Sequence, residues 1–110
     1  TKIHILQMKE IRFLGDTEKR IGGFPYPVML RCLHELDRVR QGLDPSNWKP
    51  IKTVAPGVRE IRIQAGGAYR ILYVSSRPEA VYVLHAFRKD SMQTRKRDIE
   101  LARKRMQTLS

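Results

Sequence analysis

Three apolar runs stand in close order in the second half of the chain: VREIRI from Val58, AYRILYV from Ala68 and AVYVLHAF from Ala80. Each is rich in β-branched and aromatic residues, the types that suit a pleated surface. The joins, QAGGA and SSRPE, consist of turn formers and are too short for the crossover helix that parallel neighbours require. An antiparallel meander is therefore predicted, and any helices must come from the chain on either side.

Upstream, residues 1–15 alternate loosely and end at Gly15, which predicts one or two short strands. Asp16 is placed to cap a short helix that stops at Gly22 and Gly23. Pro25 and Pro27 fit only before or within the first turn of a second helix, since proline has no N–H to donate deeper inside. That helix should run to about Gln41, with Met29, Leu33, Leu36 and Val39 or Arg40 on its apolar face and Gly42 to end it. Leu43 to Gly57 reads as a loop anchored by Trp48, and Thr94 can cap a last helix whose stripe is Ile99, Ala102, Met106 and Leu109. The order predicts one α+β domain over residues 1–110, with the helices against one sheet face.

A hydrophobic content of 41% supports a packed core, and no apolar run approaches the roughly 20 residues of a membrane helix. With no signal-peptide pattern at the start and a single cysteine, Cys32, the expected setting is a reducing cytoplasm. No Cys/His cluster has metal-ligand spacing, and Gly66-Gly67 is a hairpin turn rather than a phosphate loop, so no cofactor is expected. Charge is the strongest bulk signal. Lys and Arg number 22 against 11 Asp and Glu, a formal +11 that implies a polyanionic partner, most often nucleic acid. The excess is uneven: Arg88 to Arg105 holds eight basic residues and three acids, and so carries five of the eleven net charges.

Alternation along the strands separates candidates from core positions. Ile61 and Ile63 oppose Glu60 and Arg62, while Tyr69, Ile71 and Tyr73 oppose Arg70, Leu72 and Val74. Arg62 and Arg70 thus share one surface of neighbouring strands. They would form either a phosphate clamp or, for Arg62, a structural pair with Glu60. His85 could carry protons near neutrality or be a satisfied core histidine; Tyr69, Tyr73 and Phe87 could stack on bases or fill the core. Arg88 and Lys89 fall where the last strand leaves the sheet. Paired acids suited to two-metal nuclease chemistry are missing, so phosphodiester cleavage would rest on cations and a proton shuttle. That favours RNA, which supplies its own 2′-hydroxyl nucleophile.

The residues FLG at Phe13, LDPSNWKPIK at Leu43, PGVREIRI at Pro56, AYRILYV at Ala68, VYVLHAFRK at Val81 and KRDIELARKR at Lys96 occur in an order that resembles the RelE/ParE superfamily of type II toxins. The likeness is to its phage-derived Gp49-like, HigB-type branch and covers about residues 11–108. It implies a small twisted, mainly antiparallel sheet with two N-terminal helices on one face and a C-terminal helix. It also implies an mRNA interferase that cuts mRNA in the ribosomal A site without metal. The implied partners are the ribosome, mRNA and a neutralising antitoxin, commonly a HigA-type helix-turn-helix protein through which the complex would bind operator DNA. By position, Arg62, Arg70, His85 and Lys89 take the catalytic places. Arg88, Tyr69, Phe87 and the basic run Arg95, Lys96 and Arg97 would bind RNA, with Arg103 to Arg105 extending that docking surface. ParE-type relatives instead poison DNA gyrase by binding, and that is the competing expectation. This chain departs from the pattern after Lys89, where Asp90 stands in place of a further cation.

Overall fold

A computed structural model describes residues 8–90 and 95–109. The proposed cap at Thr94 and the part of the N-terminal strand before residue 8 lie outside the described residues. The elements run β1 (Glu10–Phe13), α1 (Thr17–Gly22), α2 (Tyr26–Arg40), β2 (Trp48–Pro50), β3 (Val58–Gln64), β4 (Ala68–Val74), β5 (Ala80–Lys89) and α3 (Lys96–Gln107). The sheet order is β1-β5-β4-β3-β2. The meander of β3, β4 and β5 is antiparallel as expected, β2 adds an antiparallel edge, and β1 pairs parallel with β5 at the other edge.

Both faces of the central strands are apolar, and both are covered. Ile21 of α1 and Val28, Cys32, Leu36 and Val39 of α2 pack with Ile61, Ile63, Ile71, Tyr73, Val81 and Val83. Ala102 of α3, with Ile99 and Met106 beside it, packs with Leu72, Val74, Tyr82 and Leu84. The two N-terminal helices thus share a face and α3 takes the other, which corrects the expectation that all helices lie together. A sheet buried on one side only would leave the Leu72, Val74 and Leu84 row in water.

Three local readings also change. The loop before β3 contains β2, where Trp48 pairs across from Ile61 and the Arg59 guanidinium sits 4.0 Å from the indole centre. Asp16 precedes α1 but makes no side-chain cap bond; its carboxylate instead accepts from Arg20 and Arg105, each at 2.8 Å. The buried face of α2 is rolled relative to the expected stripe: Val28 and Cys32 face the sheet, and Leu33 is 44% exposed. Leu36 and Val39 belong to both stripes, so helical spacing alone does not choose between them. The end of α2 is as expected. Gly42 takes φ +87°, and Leu43 N–H bonds the Arg38 carbonyl at 3.0 Å in a Schellman closure.

Arg105 ties α3 to the opposite end of the chain. Its guanidinium donates to the Leu84 carbonyl (2.9 Å) and Asp16 (2.8 Å), and it lies against Gly15, where an added Cβ would meet it at 2.6 Å. Gly15 also has φ +56°, a region costly for other residues. Gly15→Ala is expected to lower stability by about 1–3 kcal/mol, through backbone strain and displacement of Arg105. Thermal melting of the variant against wild type measures this, and an unchanged midpoint would contradict it.

Candidate functional site

The meander register assembles the basic residues. Arg62 on β3 lies directly opposite Arg70 on β4, and Arg70 lies opposite Phe87 on β5. Two residues along the same face, Glu60 is opposite Leu72, and Leu72 is opposite His85. Like charges facing across a ladder repel. Here Glu60 offsets the repulsion: its fully buried carboxylate lies 3.4 Å from Arg62 Nε, 3.6 Å from Arg70 Nε and 3.9 Å from Lys49 Nζ. Arg70 is the more enclosed arginine, 11% exposed against 35% for Arg62, and it also donates to the Tyr69 carbonyl at 2.9 Å. Of the two sequence readings, the structural pairing of Arg62 with Glu60 is seen directly, and Arg70 joins the same cluster.

Lys89, two residues beyond Phe87, feels the same cluster. Burial lowers its pKa first, and the positive charge of Arg70 lowers it further, against the opposing pull of Glu60. Burial likewise lowers Arg70, with Glu60 opposing and Arg62 adding to the effect. Such shifts favour a lysine that gives up its proton more readily than a free one.

His85 owes its place to an irregularity. Leu72 pairs with His85 but Tyr73 pairs with Val83, so Leu84 is an extra residue in β5. The bulge turns Leu84 and His85 toward the same face, that of α3. The imidazole is 1% exposed, stacks on Phe87 with ring centres 4.9 Å apart, and bonds Asp98 of α3 through Nε2 at 2.8 Å. Burial depresses its pKa, and Asp98 only partly restores it. The neutral ring donates Nε2–H to Asp98 and joins α3 to the sheet. Tyr69 and Phe87 are also buried, at 3% and 6% exposure, one in each core, and Phe87 in addition lines the cleft at the end of β5. Tyr69 packs on Phe24 on one side and under Arg88 on the other.

The depressed His85 gives a signed pH dependence. Above the ordinary value of 6.5 the folded and unfolded states are both neutral there, and the contribution to stability is complete. Below 6.5 the unfolded state takes up a proton that the native ring resists, so stability falls as pH drops toward the lower native value. Denaturation midpoints recorded from pH 7.5 to 5 should decline for wild type and decline less for His85→Gln. Equal slopes would contradict this.

At the end of β5 a cleft of about 540 Å³ opens between α1 and α3. Arg20, Arg88, Lys89, Arg95 and Arg97 line it, with Asp90, Asp98 and His85. Of the predicted basic run, Arg95 and Arg97 thus reach the cleft, while Lys96 pairs with Glu100 on the exposed side of α3. The residues of the expected extension through Arg103 to Arg105 have different surroundings. Arg105 is committed to Leu84 and Asp16, Arg103 donates to the Thr53 carbonyl, and Lys104 remains exposed. Sequence reasoning missed Lys49 and Arg20 as members of the site. Lys49 sat in an assigned loop, and Arg20 is remote in sequence from every other cleft residue.

An open, mostly antiparallel five-stranded sheet with three helices is the architecture of a small RelE-like α+β protein. Residues 19–107 match the family model described as phage derived protein Gp49-like (DUF891), and the chain belongs to that family, which lies within the RelE/ParE-like toxin group. No curated protein matches the sequence. Among the described residues no helix is long and apolar enough to cross a membrane.

Proposed function

We propose that this protein is the toxin of a type II toxin-antitoxin pair and acts as a ribosome-dependent endoribonuclease that cleaves mRNA. The observation that carries the reading is the direct opposition of Arg62 and Arg70 on the sheet, beside Lys49 and Lys89. Such a row fits the charge that builds on a phosphodiester during cleavage. The 2′-oxygen attacks phosphorus, the 5′-oxygen leaves, and the products are a 2′,3′-cyclic phosphate and a 5′-hydroxyl. Arg62 and Arg70 would hold the non-bridging oxygens through their forked donors. Lys89, with its lowered pKa, would move the proton, and His85 would act by holding Phe87 and Asp98 in place. The cleft of Arg20, Arg88, Arg95 and Arg97 would take neighbouring phosphates of the RNA, so binding should weaken steeply with salt. The partners of this reading are the ribosome, mRNA and a HigA-type helix-turn-helix antitoxin that carries the complex to operator DNA.

Primer extension on a reporter mRNA in a purified translation system, with and without ribosomes, tests the reading. Cuts that require both the ribosome and Arg70 are expected. Intact mRNA in the presence of protein that still arrests growth would overturn the nuclease assignment and direct attention to DNA gyrase.

A further inference from the structure

Glu60 stands at the centre of the cation row, and no step above uses it. It is fully buried, yet it sits within 4 Å of three cations on three strands: Lys49 of β2, Arg62 of β3 and Arg70 of β4. A buried carboxylate is costly unless paired, and this one has more partners than one negative charge can neutralise. One anion among three cations leaves the cluster with positive charge to spare, before Lys89 is added. The closest approach of both guanidiniums to Glu60 is through Nε, the inner end of each fork.

We propose that Glu60 is a resident counter-anion that positions Arg62 and Arg70 and competes with the substrate phosphate for them. The inference rests on the reading of the row as the phosphate site. A ground-state phosphodiester carries one negative charge, and the pentavalent species that follows attack carries two. A carboxylate already seated among the cations repels both species, so what it contributes to cleavage is the orientation of the two arginine forks, and what it costs is affinity for the phosphate. Burial denies Glu60 contact with the 2′-hydroxyl, which separates this role from that of a general base.

The test compares Glu60→Gln with wild type in two assays. The first is the affinity for a short 2′-O-methyl RNA, which cannot be cleaved, by fluorescence anisotropy. The second is the single-turnover rate of cleavage on programmed ribosomes. The proposal expects tighter binding by about 3–10-fold, because a like charge beside the phosphate has gone. It expects slower cleavage by about 10–100-fold, because the arginines lose their orientation. A merely structural glutamate would give weaker or unchanged binding in a folded variant, and that result overturns the proposal. Should Glu60→Gln fail to fold, Glu60→Asp keeps the charge and shortens the reach: wild-type affinity with slowed cleavage supports the proposal, and tightened binding refutes it. Arg70→Ala separates the two levels of inference. If it changes neither RNA affinity nor cleavage, the phosphate-site reading itself fails; if it abolishes both while Glu60→Gln leaves both as in wild type, only the role of Glu60 fails.

Discussion

Arg70→Ala is expected to lower single-turnover mRNA cleavage on ribosomes by about 10²–10³-fold, the loss typical of removing one preorganised donor to a developing oxyanion. Three features of Arg70 set this magnitude. It is the most enclosed of the cations around Glu60, so its charge is poorly screened by water. It is fixed from two sides, by Glu60 and by the Tyr69 carbonyl, and is therefore oriented before substrate arrives. Its charge also helps to depress Lys89, so the variant should raise the Lys89 pKa back toward 10.5 and impair proton movement as well. Arg70→Lys is the informative control, because it keeps the charge and loses the fork. The fold should survive, since Arg62 and Lys49 remain beside Glu60. Cleavage within threefold of wild type in a folded Arg70→Ala protein would remove the arginine from the mechanism.

Ile71→Ala is expected to cost about 2–5 kcal/mol of folding stability, measured by urea or guanidinium denaturation. Ile71 is fully buried on the central strand, paired with Ile61 on one side and Ala86 on the other, beneath the helix pair. Its neighbours are held by strands on both sides, so little of the cavity can collapse. Against a usual total of about 5–15 kcal/mol, the loss is a large fraction of the whole. Leu33→Ala is the matched contrast. The side chain is 44% exposed on the outer side of α2, and its removal should change stability by less than about 0.5 kcal/mol. Similar losses at the two positions would mean that α2 is rolled as helical spacing alone suggests.

The candidate site was partly legible before folding because strand alternation is a local property. Glu60, Arg62 and Arg70 could be assigned to one surface by parity alone. Membership of Lys49 and Arg20 could not, since each reaches the row or cleft from an element distant in sequence. His85 shows where parity fails: the extra residue at Leu84 shifts register, and a one-residue shift exchanges faces. The basic C-terminal run shows the limit of counting charge. Arg105 and Arg97 look alike in sequence, yet one is bound to a carbonyl and a carboxylate while the other lines the cleft.

By itself the amino-acid order determined the antiparallel meander, the helix stop at Gly42, the opposition of Ile and Arg along the strands, and the family resemblance. These follow from short joins, φ-permissive glycine and period-two patterning, all decided within a few residues. Only the tertiary structure decided the roll of α2, the placement of α3 on the second face, the parallel edge of β1 and the enclosure of Glu60 among Lys49, Arg62 and Arg70. Each of these depends on the free energy of contacts between residues far apart in the chain, where two local solutions of similar quality are separated by what packs against them.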